Sequence, residues 1–131
     1  MFTVEEDKME LGLGVHGEPG VETVSRLDAR SLARVLLDQI VPEAPADSDG
    51  RVAVLVNGLG ATGCEELFVL YGAVAGMLEA SGLRVSHCEI GEIVTSLDMA
   101  GCSLTLFWLD DELLRLYTAP AAAAGYRSAA R

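Results

Sequence analysis

The sequence predicts an α/β domain: a mixed β-sheet with helices packed mainly on one face. Three observations carry this. Several short stretches show either period-two alternation of apolar residues or an unbroken apolar run, the two signatures of strands. Longer stretches between them place apolar residues at helical spacing. The order is strand, helix, strand, helix, two or more strands, helix, with no internal repeat, which suits a sheet carrying its helices largely on one side.

Residues 8–16 alternate, with Met9, Leu11, Leu13 and Val15 facing one way and Glu10, Gly12, Gly14 and His16 the other, so a strand with one buried face is expected. A helix over 28–41 follows on Leu32, Val35, Leu36 and Ile40, with Asp28 as N-cap and Pro42 as stop. The polar run "PEAPADSDG" (42–50) is a loop. "VAVLV" (52–56) predicts a strand covered on both faces. After "NGLGATG", Leu67, Leu70, Tyr71, Val74, Met77 and Leu78 predict a helix from Cys64 to Ala80. Thr62 and Glu65 would form its capping box and Gly82 its C-terminal stop. Residues 83–96 predict one or two strands broken near Gly91, 103–109 a further strand, and 110–117 a short helix with an acidic cap. Residues 1–120 form the domain. Residues 121–131 are a low-information tail expected to fray.

The length of 131 residues suits one domain, and a composition 50% hydrophobic and 22% charged is that of a globular protein. A net charge of −11 disfavours nucleic acid and anionic membrane surfaces as partners. No apolar run reaches the roughly 18 residues that a membrane span needs. "MFTVEEDK" lacks the basic start and apolar stretch of a signal peptide. Cys64, Cys88 and Cys102 are widely spaced in apolar contexts, the usage of a reducing compartment, so the reading is cytoplasmic.

"GLGATG" (58–63) matches G-x-G-x-x-G between a predicted strand and helix, and Glu89 lies where a ribose-binding acid would sit. The chain has room for only one βαβ unit of the two that a dinucleotide fold uses, so a tight strand-to-helix turn is the plainer reading. His87 and Cys88 are adjacent on a strand and point to opposite faces, and no C-x-x-C or H-x-x-x-H pair occurs, so no metal site is expected. The cysteines have no base placed beside them and read as small buried apolar residues.

His16 lies in "GLGVHGEPG" (12–20). Gly12 and Gly14 would share its strand face and leave bare backbone for a close approach, while Gly17, Pro19 and Gly20 would make the turn beyond it. Spacing alone leaves two readings open, a turn histidine bonded to backbone and a reacting group.

Four motifs, "MELGLGVHGEPG" (9–20), "VNGLGAT" (56–62) followed by "EL" (66–67), "TSLDMAGCSLTL" (95–106) and "DDELLRLYTAP" (110–120), resemble in the same order the dihydroxyacetone kinase K subunit. The resemblance is to its C-terminal half and runs from about Phe2 to Pro120. It implies the second domain of the K-type fold. It also implies that His16 is the catalytic histidine, adding covalently to the dihydroxyacetone carbonyl as a hemiaminal, a bond that selects a ketone over glycerol. Glu18 is placed to orient the ring, although the resemblance assigns it no role. The implied partners are dihydroxyacetone, a second copy of the chain in a homodimer, and an L subunit or domain carrying ATP, or ADP with magnesium; no cofactor is expected on this chain.

The family's N-terminal half, with its glycine-rich substrate loop and its acid and base, has no counterpart in the sequence. An excised domain or truncated paralogue, inactive alone as a kinase, is therefore expected. In the family the position of Gly63 is not a fixed glycine, which reduces "GLGATG" to a turn. Thr118 and the residues beyond Pro120 also depart from the pattern. Two other functions remain: a non-catalytic paralogue serving association or regulation, and a small dinucleotide-binding protein resting on "GLGATG" alone.

Overall fold

Strand β3 (Arg51–Gly60) is the centre of the molecule. In the structure, a computed structural model that describes residues 3–16 and 18–129, it lies between β4 (Arg84–Gly91), parallel to it, and β5 (Ala100–Trp108), antiparallel to it. Val52, Val54 and Val56 are fully buried on one face, beside Val85, Cys88 and Ile90 of β4 and Trp108, Leu106 and Leu104 of β5. On this face pack helix α2 (Cys64–Ala80), through Leu67, Leu70, Val74 and Leu78, and helix α1 (Ala29–Ile40), through Ala33 and Leu37. The expected mixed sheet with its main helices on one face is therefore present. The outer face of α2 stays apolar in part, with Phe68 and Val69 exposed. Among the described residues no helix is long and apolar enough to cross a membrane.

A bulge in the β3–β4 ladder sets Ala53 opposite His87 rather than Ser86. Along the second sheet face run Ala53, Leu55 and Asn57, flanked by His87 and Glu89 on β4 and by Ser103, Thr105 and Phe107 on β5. Short helix α3 (Asp111–Tyr117) covers part of this face: the Tyr117 ring meets His87 edge-on at 5.6 Å and Phe107 at 5.9 Å. The continuous apolar run of β3 thus has its predicted cause, burial from both sides.

The helix boundaries follow their caps. Asp28 Oδ1 accepts the Ser31 N–H at 2.7 Å, and Asp110 Oδ1 accepts that of Leu113 at 2.7 Å. Helix α2 departs from the expected Thr62–Glu65 box by one residue. Its N-cap is Gly63, and Glu66 Oε2 reaches back to the Gly63 N–H at 2.9 Å. Its end is as expected, with Gly82 at φ 78° past the Ser81 cap. Pro42 ends α1 by entering one 3₁₀ turn at Val41–Glu43.

The first strand differs more. Alternation predicts a strand over 8–16, but β1 (Lys8–Leu11) stops where Gly12 takes φ 72°, and it pairs antiparallel with β2 (Glu22–Ser25). The β2 strand carries no readable pattern because only Val24 in it is even half-buried. Nor is the tail wholly unstructured: β6 (Ala121–Ala122) and β7 (Arg127–Ser128) pair as a short hairpin.

Asn57 is the one buried polar residue among those described. The loop 92–99 crosses from β4 to β5 over the C-terminal end of β3, and Asn57 holds it like a missing strand. Its Oδ1 accepts the N–H groups of Ile93 and Val94 at 2.8 and 2.9 Å, and its Nδ2 donates to Val94 O at 2.8 Å. Gly60, at φ 62°, completes the closure. A Cβ there would collide with Met99 O and lie 2.6 Å from Ser96 O, while its N–H donates to Thr95 Oγ1 at 3.0 Å. At the opposite end of the strands Arg51 joins Asp49 and Asp111, each at 2.7 Å, and Arg84 donates to Asp49 O at 3.1 Å.

Asn57→Ala should lower unfolding stability by about 2 kcal/mol in urea titrations, because it strands two backbone N–H groups. A second expectation concerns acid. The Arg51 backbone N–H, and then the Arg51 charge, hold the Asp49 carboxyl below its ordinary value. A depressed folded pKa stabilises above the unfolded value near 4 and ceases to do so as pH falls through the folded one. The melting temperature of the native chain should therefore fall below pH about 4 more steeply than that of Asp49→Asn.

Candidate functional site

The segment joining β1 to β2 is held by its own backbone. Val21 N–H donates to Leu11 O at 2.8 Å, Gly14 N–H to Glu18 O at 3.0 Å, and His16 N–H to Glu18 Oε2 at 3.2 Å. The glycines around His16 exist for these contacts. A Cβ on Gly12 would sit 2.9 Å from Val21 Cγ2, one on Gly14 would collide with the Glu18 carboxylate, and one on Gly20 would lie 2.5 Å from Glu10 Cγ. This corrects the expectation that Gly12 and Gly14 clear a strand face for a ligand, since their vacant space is filled by the chain's own side chains. Gly20 serves by space and not by positive φ, and Gly17 lies outside the described residues.

His16 is exposed at the turn, and no described residue hydrogen-bonds its ring. Glu18 acts on the His16 backbone and not, as placed from sequence, on the imidazole. The backbone is therefore fixed, while no described residue engages the ring nitrogens. The hairpin is joined to the body at its base, where Leu27 N–H approaches Met9 Sδ at 3.3 Å.

The other sequence candidates resolve into structure. Gly58 and Gly60 of "GLGATG" belong to β3, and three of the N–H groups in this turn are engaged within the chain. Gly60 donates to Thr95, Ala61 to Met99 O at 2.8 Å, and Gly63 to Glu66. Glu89 Oε1, the supposed ribose acid, instead accepts the hydroxyls of both Tyr117 and Tyr126, each at 2.8 Å. Burial, aided by Glu89, pushes the Tyr117 phenol above its ordinary pKa. Cys88 and Cys102 face the helical layer. The Tyr71 phenol is pushed up to about 12, first by its hydrogen bond to Cys88, and burial raises the Cys102 thiol. Cys64 corrects the expectation of a buried residue: it opens α2, where the first turn faces solvent, and is exposed. His87 does point away from Cys88, towards Tyr117. Sequence reasoning missed the Asn57 latch and the Glu89–tyrosine clasp. Asn57 could have been found as the lone polar side chain within a buried run, whereas nothing in the tail marked Tyr126.

A three-stranded mixed sheet, its two longer helices on one face and an exposed histidine turn define an α/β domain of the dihydroxyacetone kinase type. The solved dihydroxyacetone kinase of C. freundii superposes with a TM-score of 0.82 at 25% identity, over 95% of this chain and 22% of that one. A dihydroxyacetone kinase operon co-activator superposes at 0.82 with 34% identity, over 91% and 38%. The chain belongs to the Dak1 domain family, which matches residues 1–125. It is 49% identical to D-erythrulose kinase of Mycolicibacterium smegmatis over 99% of its length. It is 40% identical to the dihydroxyacetone-binding subunit DhaK of PTS-dependent dihydroxyacetone kinase 1 from Listeria innocua over 85%. It spans only 22% and 34% of those two relatives.

Gly14→Ala should displace Glu18 and free the His16 N–H. Hydrogen exchange by NMR should show that amide exchanging roughly tenfold faster or more, with the core amides unchanged.

Proposed function

We propose that this chain is the part of a ketose kinase that holds a small carbonyl substrate through His16, the substrate being dihydroxyacetone or its four-carbon analogue erythrulose. One observation supports this most: the turn fixes the His16 backbone through Glu18 and leaves the ring exposed, with no described residue bonded to it. A neutral imidazole nitrogen can add its lone pair to a ketone carbon. The carbonyl oxygen takes up a proton, the other ring nitrogen gives one up, and a neutral hemiaminal results with no atom lost. The bond orients the substrate's terminal hydroxyl and excludes glycerol, which has no carbonyl. The identity of 49% and 50% to D-erythrulose kinase and L-erythrulose 1-kinase supports a ketose as the substrate class.

Gly60, Ala61 and Gly63 of "GLGATG" spend their N–H groups within the chain, so the nucleotide, ATP or ADP with magnesium, belongs on an L-type partner subunit or domain. The chain alone is then a binder and not a kinase, working in the cytoplasm beside that partner and a second copy of itself. A regulatory reading is favoured by one finding, that a solved protein 34% identical to this chain is an operon co-activator. Under that reading the domain would bind the ketose without supporting turnover.

With dihydroxyacetone labelled at its carbonyl carbon, the chain supplied with the remainder of a kinase of its family should convert the ketone resonance to a saturated one. His16→Ala should abolish that adduct and the discrimination against glycerol. Full activity and equal selectivity in His16→Ala would sink the anchor role. An adduct without turnover would favour the regulatory reading.

A further inference from the structure

Asn57 is the single asparagine of the chain, and a glycine follows it. An asparagine before glycine readily loses its side-chain amide, because no Cβ shields the next backbone nitrogen from the amide carbon. The fold requires both residues. Asn57 holds the loop 92–99, and a Cβ on Gly58 would lie 3.0 Å from Leu67 Cδ1, where α2 packs on the strand. The closed structure keeps the pair from reacting. In an extended strand the side chain stands roughly perpendicular to the sheet and the next N–H lies in its plane, so Gly58 N is held away from Asn57 Cγ. Nor can the side chain swing towards it, since Ile93 and Val94 engage both its oxygen and its nitrogen. Reaction therefore needs the loop lifted and the end of β3 out of its strand. Both are lightly secured. From Gly58 onwards β3 pairs with β5 alone, its ladder to β4 having ended at Asn57. In the loop Val94 is 60% and Leu97 90% exposed, and hydrogen bonds with Asn57, Gly60 and Ala61 fasten it. Segments held by hydrogen bonds with little buried apolar surface open below the free energy of global unfolding.

We propose that Asn57–Gly58 is a deamidation site uncovered by opening of the loop 92–99, so that the residue latching the loop is destroyed by the motion it restrains. With the loop open, Gly58 N loses its proton and attacks Asn57 Cγ. The Cγ–Nδ2 bond breaks, the amide nitrogen leaves as ammonia with a proton taken up, and a cyclic succinimide remains. Water then opens the ring. Attack at the side-chain carbonyl leaves an aspartate, and attack at the backbone carbonyl leaves an isoaspartate whose main chain runs through Cβ and Cγ. Either product spoils the latch. The aspartate still accepts from Ile93 and Val94, but it sets a carboxylate oxygen against Val94 O, where Nδ2 donates at 2.8 Å. The isoaspartate adds a main-chain carbon to β3 at the Asn57–Ser103 pair and puts the rest of the strand out of step with β5. A transient opening thus becomes a permanent one. His16 and its hairpin take no part.

The test follows ammonia release and peptide mass in the 131-residue chain at mildly alkaline pH, with Gln39, the one other side-chain amide, separated by peptide mapping. The folded chain should react at position 57 roughly tenfold or more slowly than the same chain in urea. Thr95→Ala removes the acceptor of the Gly60 N–H and should raise the folded rate severalfold while leaving the urea rate unchanged. Asp28→Ala uncaps α1, away from the loop; it should lower the urea midpoint and leave the folded rate near native. Hydrogen exchange on the native chain needs no substitution. The Ile93 and Val94 amides should open more often than that of buried Val54, at a frequency that accounts for the rate of modification. A folded rate equal to that in urea overturns the proposal, as does a site that stays unreacted in urea. So does a folded Thr95→Ala chain that reacts at the native rate. Equal acceleration by Asp28→Ala and Thr95→Ala, or Ile93 and Val94 amides exchanging no faster than Val54, overturns it by making global unfolding the controlling event.

Discussion

The hydrogen bonds of the Asn57 amide to the loop 92–99 are the constraint on which the rest of the structure depends. A three-stranded sheet of mixed direction has an awkward end, because the chain leaving β4 must pass over β3 to begin β5. Backbone crossing a strand end cannot pair with that strand, and its N–H and C=O groups would be left to water or to nothing. Asn57 supplies a donor and an acceptor where the β3 ladder to β4 ends. Gly60 then lets the same loop lie against bare backbone. In many open α/β sheets the crevice at this end of the strands receives a ligand. Here it receives the chain itself, and the exposed histidine lies on a hairpin outside the sheet.

This explains what could be read from residues and what could not. Helices α1, α2 and α3 and the core of β3 were legible because caps and apolar stripes are local signals. The second half of β3, "NGLG", looked like loop because glycine and asparagine rarely extend strands, yet the partner strand from Ala100 to Ser103 holds it in register. Conversely, the alternation over 8–16 looked like one long strand, and the positive φ of Gly12 broke it. Both misreadings involve glycine, whose conformation is set by distant neighbours and not by its own side chain.

The candidate site shows the same division. Spacing drew attention to His16, and resemblance supplied its chemistry. What neither conveyed is that Gly12, Gly14 and Gly20 are consumed by Val21, Glu18 and Glu10. The glycine-rich character of the turn is thus a packing requirement, and it leaves one exposed ring on a braced backbone. The chain spans 22% of the D-erythrulose kinase and 34% of the DhaK subunit compared above.

The central position of β3 has a consequence for biosynthesis. Both of its partners lie later in the chain, and Asn57 and Ser103, which face each other in the finished sheet, are 46 residues apart. As the polypeptide leaves the ribosome, β3 emerges with both edges bare. The α2 crossover can bring β4 to one side, but the other stays open until β5 has been made. During that interval the most apolar segment of the chain is also its most adhesive. Slowing translation between residues 61 and 108 would lengthen the exposure, so the nascent chain is where a chaperone would find its clearest target.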